Sequence, residues 1–186
     1  MESVITKRST FFQHLLTFDH YGESWDENLL QIYAEQSIKS HSTWMEKGEV
    51  EFEHENLRHY GPAYVIFVYV STGFLDQLLN LPATDLRHLV YFLTYFAGLI
   101  AFHSLARRWL DPLSAAGTTL FFATQPLFWG HAFINPKDTP FLSLFLLSVA
   151  AGFKMVDVIQ RLSLEEFHQS IGRKTIIISL FWLLSI

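Results

Sequence analysis

The sequence predicts an all-α, polytopic integral membrane protein. Three observations carry this expectation. Only 17% of the 186 residues are charged, against the ~25% of an ordinary globular domain, and the acids crowd into the first third. From Gly61 onward the chain alternates between apolar segments and short charged junctions. None of those segments offers the polar face that a helix on a soluble surface requires. Buried helices of a soluble bundle would explain short apolar runs of ~10–14 residues, but not that missing face.

Residues 1–61 read as an acidic, non-cytoplasmic loop region. Between Asp19 and Arg58, Asp19, Glu23, Asp26, Glu27, Glu35, Glu46, Glu49, Glu51, Glu53 and Glu55 stand against only Lys39, Lys47 and Arg58. Met1 to Thr17 holds no apolar core of a signal peptide. The boundary falls at His59-Tyr60-Gly61-Pro62, and residues 62–186 form the membrane region. Its first helix, about 62–81, is broken by Ser71-Thr72-Gly73 and Asp76. That is too short an apolar run for the ~20 residues of a span, so this helix is expected to lie along the interface.

Spans follow at about 86–106, 113–134 and 139–159, with a truncated one at 175–186. Val90 through Phe102 carries no charge and no polar side chain beyond Thr94 and two tyrosines. The last segment stops about twelve residues into an apolar helix, against the ~20 of a full span, so the chain reads as an N-terminal fragment of a larger protein.

Charge orients the spans. Cytoplasmic junctions carry Lys and Arg, which assigns Arg107-Arg108 and the group Lys154, Arg161, Arg173 and Lys174 to the cytoplasm. Asn135-Pro136-Lys137-Asp138 then lies outside, with Pro82–Asp85 and the acidic region on the same side. A formal net charge of −5 leaves no basic footprint for nucleic acid. The absence of cysteine excludes disulfides and thiolate metal sites.

Two motifs carry chemistry. In Tyr21-Gly22-Glu23-Ser24-Trp25-Asp26-Glu27 the adjacent carboxylates can divide the work of a base and a binding group. The plainer reading of Asp26-Glu27 is a charge pair at a helix N-terminus, stabilised by the dipole. The second motif is Gly130-His131-Ala132-Phe133-Ile134-Asn135-Pro136-Lys137-Asp138-Thr139-Pro140. Pro136 breaks one helix and Asp138 or Thr139 can cap the next, which is its plain reading. Its His131, Asn135, Lys137 and Asp138 also meet at one membrane face, as a phosphate site requires. His54, His59 and His131 read as hydrogen-bonded interface residues more readily than as metal ligands.

These two motifs, in this order, together with His59-Tyr60-Gly61-Pro62-Ala63, Leu86-Arg87-His88-Leu89 and Ala106-Arg107-Arg108, resemble the GT-C glycosyltransferases. The likeness is to family 39, the branch of the protein O-mannosyltransferases, and runs from about residue 19 to 159. It implies transfer of a sugar from a polyprenyl-phosphate donor to a protein, lipid or glycan acceptor, at the outer or luminal face of a plasma, inner or endoplasmic-reticulum membrane. The resemblance assigns the catalytic base to Asp26. Substrate binding falls to Glu27, Tyr60, His131, Asn135, Lys137 and Asp138. Some members use a divalent metal (Mg or Mn), for which Asp138 and Glu27 are the ligand candidates. Family members have a helix before the acidic loop and several after the point where this sequence stops. The isolated chain is therefore expected not to turn over.

Two other readings compete. A transporter subunit would route substrate past Lys137, Asp138 and Lys154, yet the charges cluster at segment ends instead of the bilayer midplane. A catalytically inactive truncated fragment fits the missing helices.

Overall fold

The computed structural model describes residues 22–48 and 61–161, and among these every regular element is a helix. There are six: α1 (Glu27–Lys47), α2 (Ala63–Leu79), α3 (Ala83–Ala106), α4 (Pro112–Ala123), α5 (Pro126–Ile134) and α6 (Asp138–Arg161). The apolar segment expected at 175–186 lies outside the described residues, as does Tyr60.

The acidic region is not wholly loop, because 21 of its residues form α1. Asp26 stands at the N-cap and Glu27 in the first turn, where carboxylates favour a helix start. The buried positions Leu30, Tyr33, Ala34, Ser37 and Ser40 recur at helical spacing. Gly48 ends the helix with φ 74°, a left-handed conformation glycine takes without strain, and donates its N–H to the Trp44 carbonyl at 2.9 Å.

Helix α2 matches the expected 62–81 segment. Its 17 residues would measure about 26 Å, short of a ~30 Å hydrocarbon core. Helices α3 and α6, 24 residues each, are long and apolar enough to cross a membrane and cover the expected 86–106 and 139–159 segments.

The single span expected at 113–134 is a correction. The structure divides it into α4 and α5 at Thr124-Gln125. Pro126 is the cause: it has no N–H to donate back to residue 122, and its ring clashes with that turn. The Tyr95 hydroxyl donates to the Ala123 carbonyl at 3.1 Å, so the break leaves that acceptor satisfied.

The chain forms two compact units. One runs through Phe92 and adds Ala132–Pro136; the other comprises Leu93–His131 and the chain from Lys137 onward. In the first, Leu30 and Tyr33 of α1 pack on Val65 of α2. Val68 of α2 meets Val90 and Tyr91 of α3, with Tyr64 and Leu75 against them. Phe92 stacks on Phe133 of α5 at 4.8 Å between centroids.

In the second unit, α3 and α4 run antiparallel. Moving back along α3, His103 meets Thr119 at 3.2 Å, Phe102 stacks on Phe122 and Tyr95 reaches Ala123. Helices α3 and α6 run parallel. Gly98 lies against Ser143, and ten residues later Arg108 makes two hydrogen bonds to Asp157, at 2.6 and 2.9 Å. The Arg108 guanidinium also sits 4.6 Å from the Phe153 ring centre, a cation–π contact.

Burial in this unit inverts the soluble pattern. Apart from Tyr95 and Pro140, the buried positions are small or polar, Gly98, Ala101, Ala115, Ser143, Ser148 and Ala150 among them. Leu93, Phe96, Ile100, Leu120, Phe121, Phe141 and Phe145 are exposed.

Candidate functional site

The start of α1 and the first turns of α3 build a charged cluster in the first unit. Glu27 and His88 are both fully buried, and His88 Nε2 lies 3.1 Å from Glu27 Oε1 with the imidazole donating. Arg87 Nε lies 3.6 Å from the other Glu27 oxygen. Arg87 Nη2 donates to Glu23 Oε1 at 2.9 Å and to Thr84 Oγ1 at 3.0 Å. A buried carboxylate without partners would be prohibitive, and a cation in the first turn of α3 opposes that helix dipole. Each compensates the other, at the starts of α1 and α3.

Asp26 directly precedes this cluster and is partly exposed. Its side chain accepts no capping hydrogen bond from α1, so its place at the helix start does not consume its carboxylate in the cap. Burial pushes the pKa of the Tyr33 phenol, further along α1, above its ordinary value, so Tyr33 stays neutral at physiological pH.

A pocket opens beside the cluster. Glu27 and Gln31 of α1, Tyr64 and Tyr69 of α2, and Arg87 and Tyr91 of α3 line it, together with Pro136. Pro136 belongs to the Asn-Pro-Lys-Asp turn, so the fold brings part of the second sequence motif to the residues of the first. Asn135 belongs to the same unit and is half-buried.

Lys137 and Asp138 belong to the second unit, where Asp138 opens α6. His131 is exposed, and its carbonyl accepts the Thr139 hydroxyl at 3.3 Å, which ties the end of α5 to the start of α6.

The sequence motifs did not single out Arg87 and His88 as members of the site. The available signal was a cationic pair inside the first turns of an apolar helix, where burial demands an acidic partner. The donor set at Glu27 does not suit a divalent cation, because its carboxylate already faces a guanidinium and an imidazole N–H. Among the described residues no three His, Asp or Glu side chains gather as a metal site. No protein-family model, curated protein or solved structure matches this chain.

Proposed function

We infer that this protein is an integral membrane glycosyltransferase that moves a sugar from a polyprenyl-phosphate donor to a hydroxyl acceptor at the non-cytoplasmic face. The observation that carries the reading is the pocket lined by Glu27 of the acidic motif and by Pro136 of the Asn-Pro-Lys-Asp turn. The membrane part of the reading is supported by α3 and α6, and by a second unit with small residues inside and large apolar ones outside. Close approach over small residues is how helices associate where lipid surrounds them.

The chemistry needs few parts. The acceptor oxygen attacks the anomeric carbon while the bond from that carbon to the phosphate oxygen breaks. Asp26 takes the acceptor proton, and the polyprenyl phosphate leaves as an anion. Lys137 supplies positive charge to that anion, with Asn135 on the same turn and His131 on α5 as hydrogen-bonding groups. Glu27 is held by His88 and Arg87 and fixes the first turn of α1, so that Asp26 is presented at a defined place.

The test is a pair of readouts on the full-length protein. Asp26→Asn keeps the shape and removes the base, so turnover should fall by ~10²–10⁴ while lipid-phosphate-sugar binding is retained. Lys137→Ala and Asp138→Asn should weaken donor binding instead. Normal turnover in folded Asp26→Asn protein would leave Asp26 as a helix-start charge and end the catalytic assignment.

A further inference from the structure

The start of α1 carries an apolar edge that the fold leaves open. Trp25, just ahead of the helix, is 95% exposed, and Leu29 and Ile32 follow it at 40% and 39%. Asp26 already has helical backbone angles, so spacings of four and then three residues set these positions along one side of α1. That side is not the one packed on α2, where Leu30, Tyr33 and Ala34 are buried. Nor is it the polar side, which carries the exposed Asn28, Glu35, Lys39, Ser42 and Glu46. Beyond Ile32 the same edge continues as Gln36, Thr43 and Lys47, so its large apolar residues are confined to the beginning of the helix.

The beginning of α1 is also the part fastened to α3. Arg87 donates to Glu23 at 2.9 Å and His88 to Glu27 at 3.1 Å, so Trp25 stands midway between two residues tied to the first turns of that helix. Helix α3 is long and apolar enough to cross a membrane, and its first turns carry Asp85, Arg87 and His88. Charged groups at the end of a span mark the level where hydrocarbon gives way to headgroups. An indole held at that level has its apolar body on the lipid side and its N–H on the wet side, the environment in which Trp is enriched. Between Gly22 and Lys39 the chain has acids but no Lys or Arg, so the edge can attract a lipid surface through apolar area and not through charge.

We propose that the Trp25–Leu29–Ile32 edge is a membrane anchor, seated in the phospholipid interface beside the start of α3. This rests on the reading of α3 as a membrane span. It also gives the glycosyl-transfer reading a depth for its base. Asp26 directly follows Trp25, so seating the indole holds that carboxylate at headgroup level, where the phosphate of a lipid-linked donor also lies. Trp25 is a positioning residue in this arrangement and touches no reacting atom.

Nitroxide labels on single cysteines test this in the full-length protein in phosphatidylcholine nanodiscs, since the native chain has no cysteine. Labels at Leu29→Cys and Ile32→Cys should meet dissolved oxygen more readily than a water-soluble nickel chelate, as a group in lipid does. A label at Ser42→Cys, on the polar side of α1, should show the reverse. Adding Trp25→Ser should shift the Leu29→Cys label toward the nickel chelate in protein of unchanged helicity. Nickel access at Leu29→Cys and Ile32→Cys equal to that at Ser42→Cys overturns the anchor. Exclusion of both quenchers overturns it too, because a protein surface and not lipid would then cover the edge. So does a Leu29→Cys label that stays in lipid without Trp25. A label at Ile100→Cys, exposed on α3, separates this outcome from the parent reading. If that label also meets the nickel chelate, α3 is not a span and the membrane assignment itself fails. Lipid-seated labels in a protein that transfers no sugar keep the anchor and lose only the transferase reading.

Discussion

Glu27 is the residue on which the first unit turns. It is fully buried, its neighbours Arg87 and His88 are buried with it, and all three sit at helix starts. Buried ion pairs add little net stability over apolar substitutes, but removing one partner leaves the other charge stranded. Arg87→Met should therefore destabilise the protein by about 3–5 kcal/mol, whereas Glu27→Leu/Arg87→Met should recover much of that loss. Denaturation of both variants in nanodiscs measures the coupling. Additive losses would show that the 3.6 Å contact between Glu27 and Arg87 carries no energy. Asp26 differs in kind: it is half-exposed, and its side chain makes no hydrogen bond to the α1 cap.

Among the elements, α3 and α6 are joined by absence of side chain. A Cβ added at Gly98 would stand 2.8 Å from the Cα of Ser143, a backbone atom that cannot swing aside. Gly98→Ala should cost ~1–3 kcal/mol by overpacking, read as a lower unfolding midpoint, while the same change at Gly117, which has open space around it, should cost nothing by this route. Helix α4 is secured by its cap. Asp111 accepts from the Leu113 and Ser114 N–H groups at 3.0 and 3.2 Å. Its pKa is lowered by hydrogen bonding to Ser114, first through the side chain and then through the backbone, with Leu113 adding to it. The sign follows: the stabilisation is complete above the pKa of the unfolded chain and is lost as pH falls through the lower folded value. Thermal melts of wild type and Asp111→Asn between pH 2 and 6 should converge at the acid end, about where the carboxylate is protonated.

These elements also show which features were legible in the chain. Long uncharged runs such as Val90–Phe102 made α3 and α6 readable, since they exceed the ~4–8 residues of a buried strand. The α4–α5 break was visible only as Pro126, and apolar continuity on either side outweighed it. Helix α1 was harder, because its buried stripe of Leu30, Tyr33, Ala34 and Ser37 is half small or polar and lies in a field of acids. Arg87 and His88 could not be recognised as Glu27's partners from spacing, since some sixty residues separate them.

At the scale of the molecule, the order of contacts along α3, α4 and α6 gives a down–up–down path in the second unit. Arg108, just beyond the end of α3, and Asp157 near the end of α6 lie together. We propose that the acidic region and the Asn-Pro-Lys-Asp turn both face the opposite, non-cytoplasmic side. The native chain has no cysteine, so single cysteines report position without background. Exposed positions His41, His131 and Leu113 sample α1, the end of α5 and the start of α4. Impermeant maleimide applied from the non-cytoplasmic side of oriented vesicles should label His41→Cys and His131→Cys and spare Leu113→Cys until the vesicles are opened. Labelling of His41→Cys and His131→Cys from opposite sides would contradict the claim.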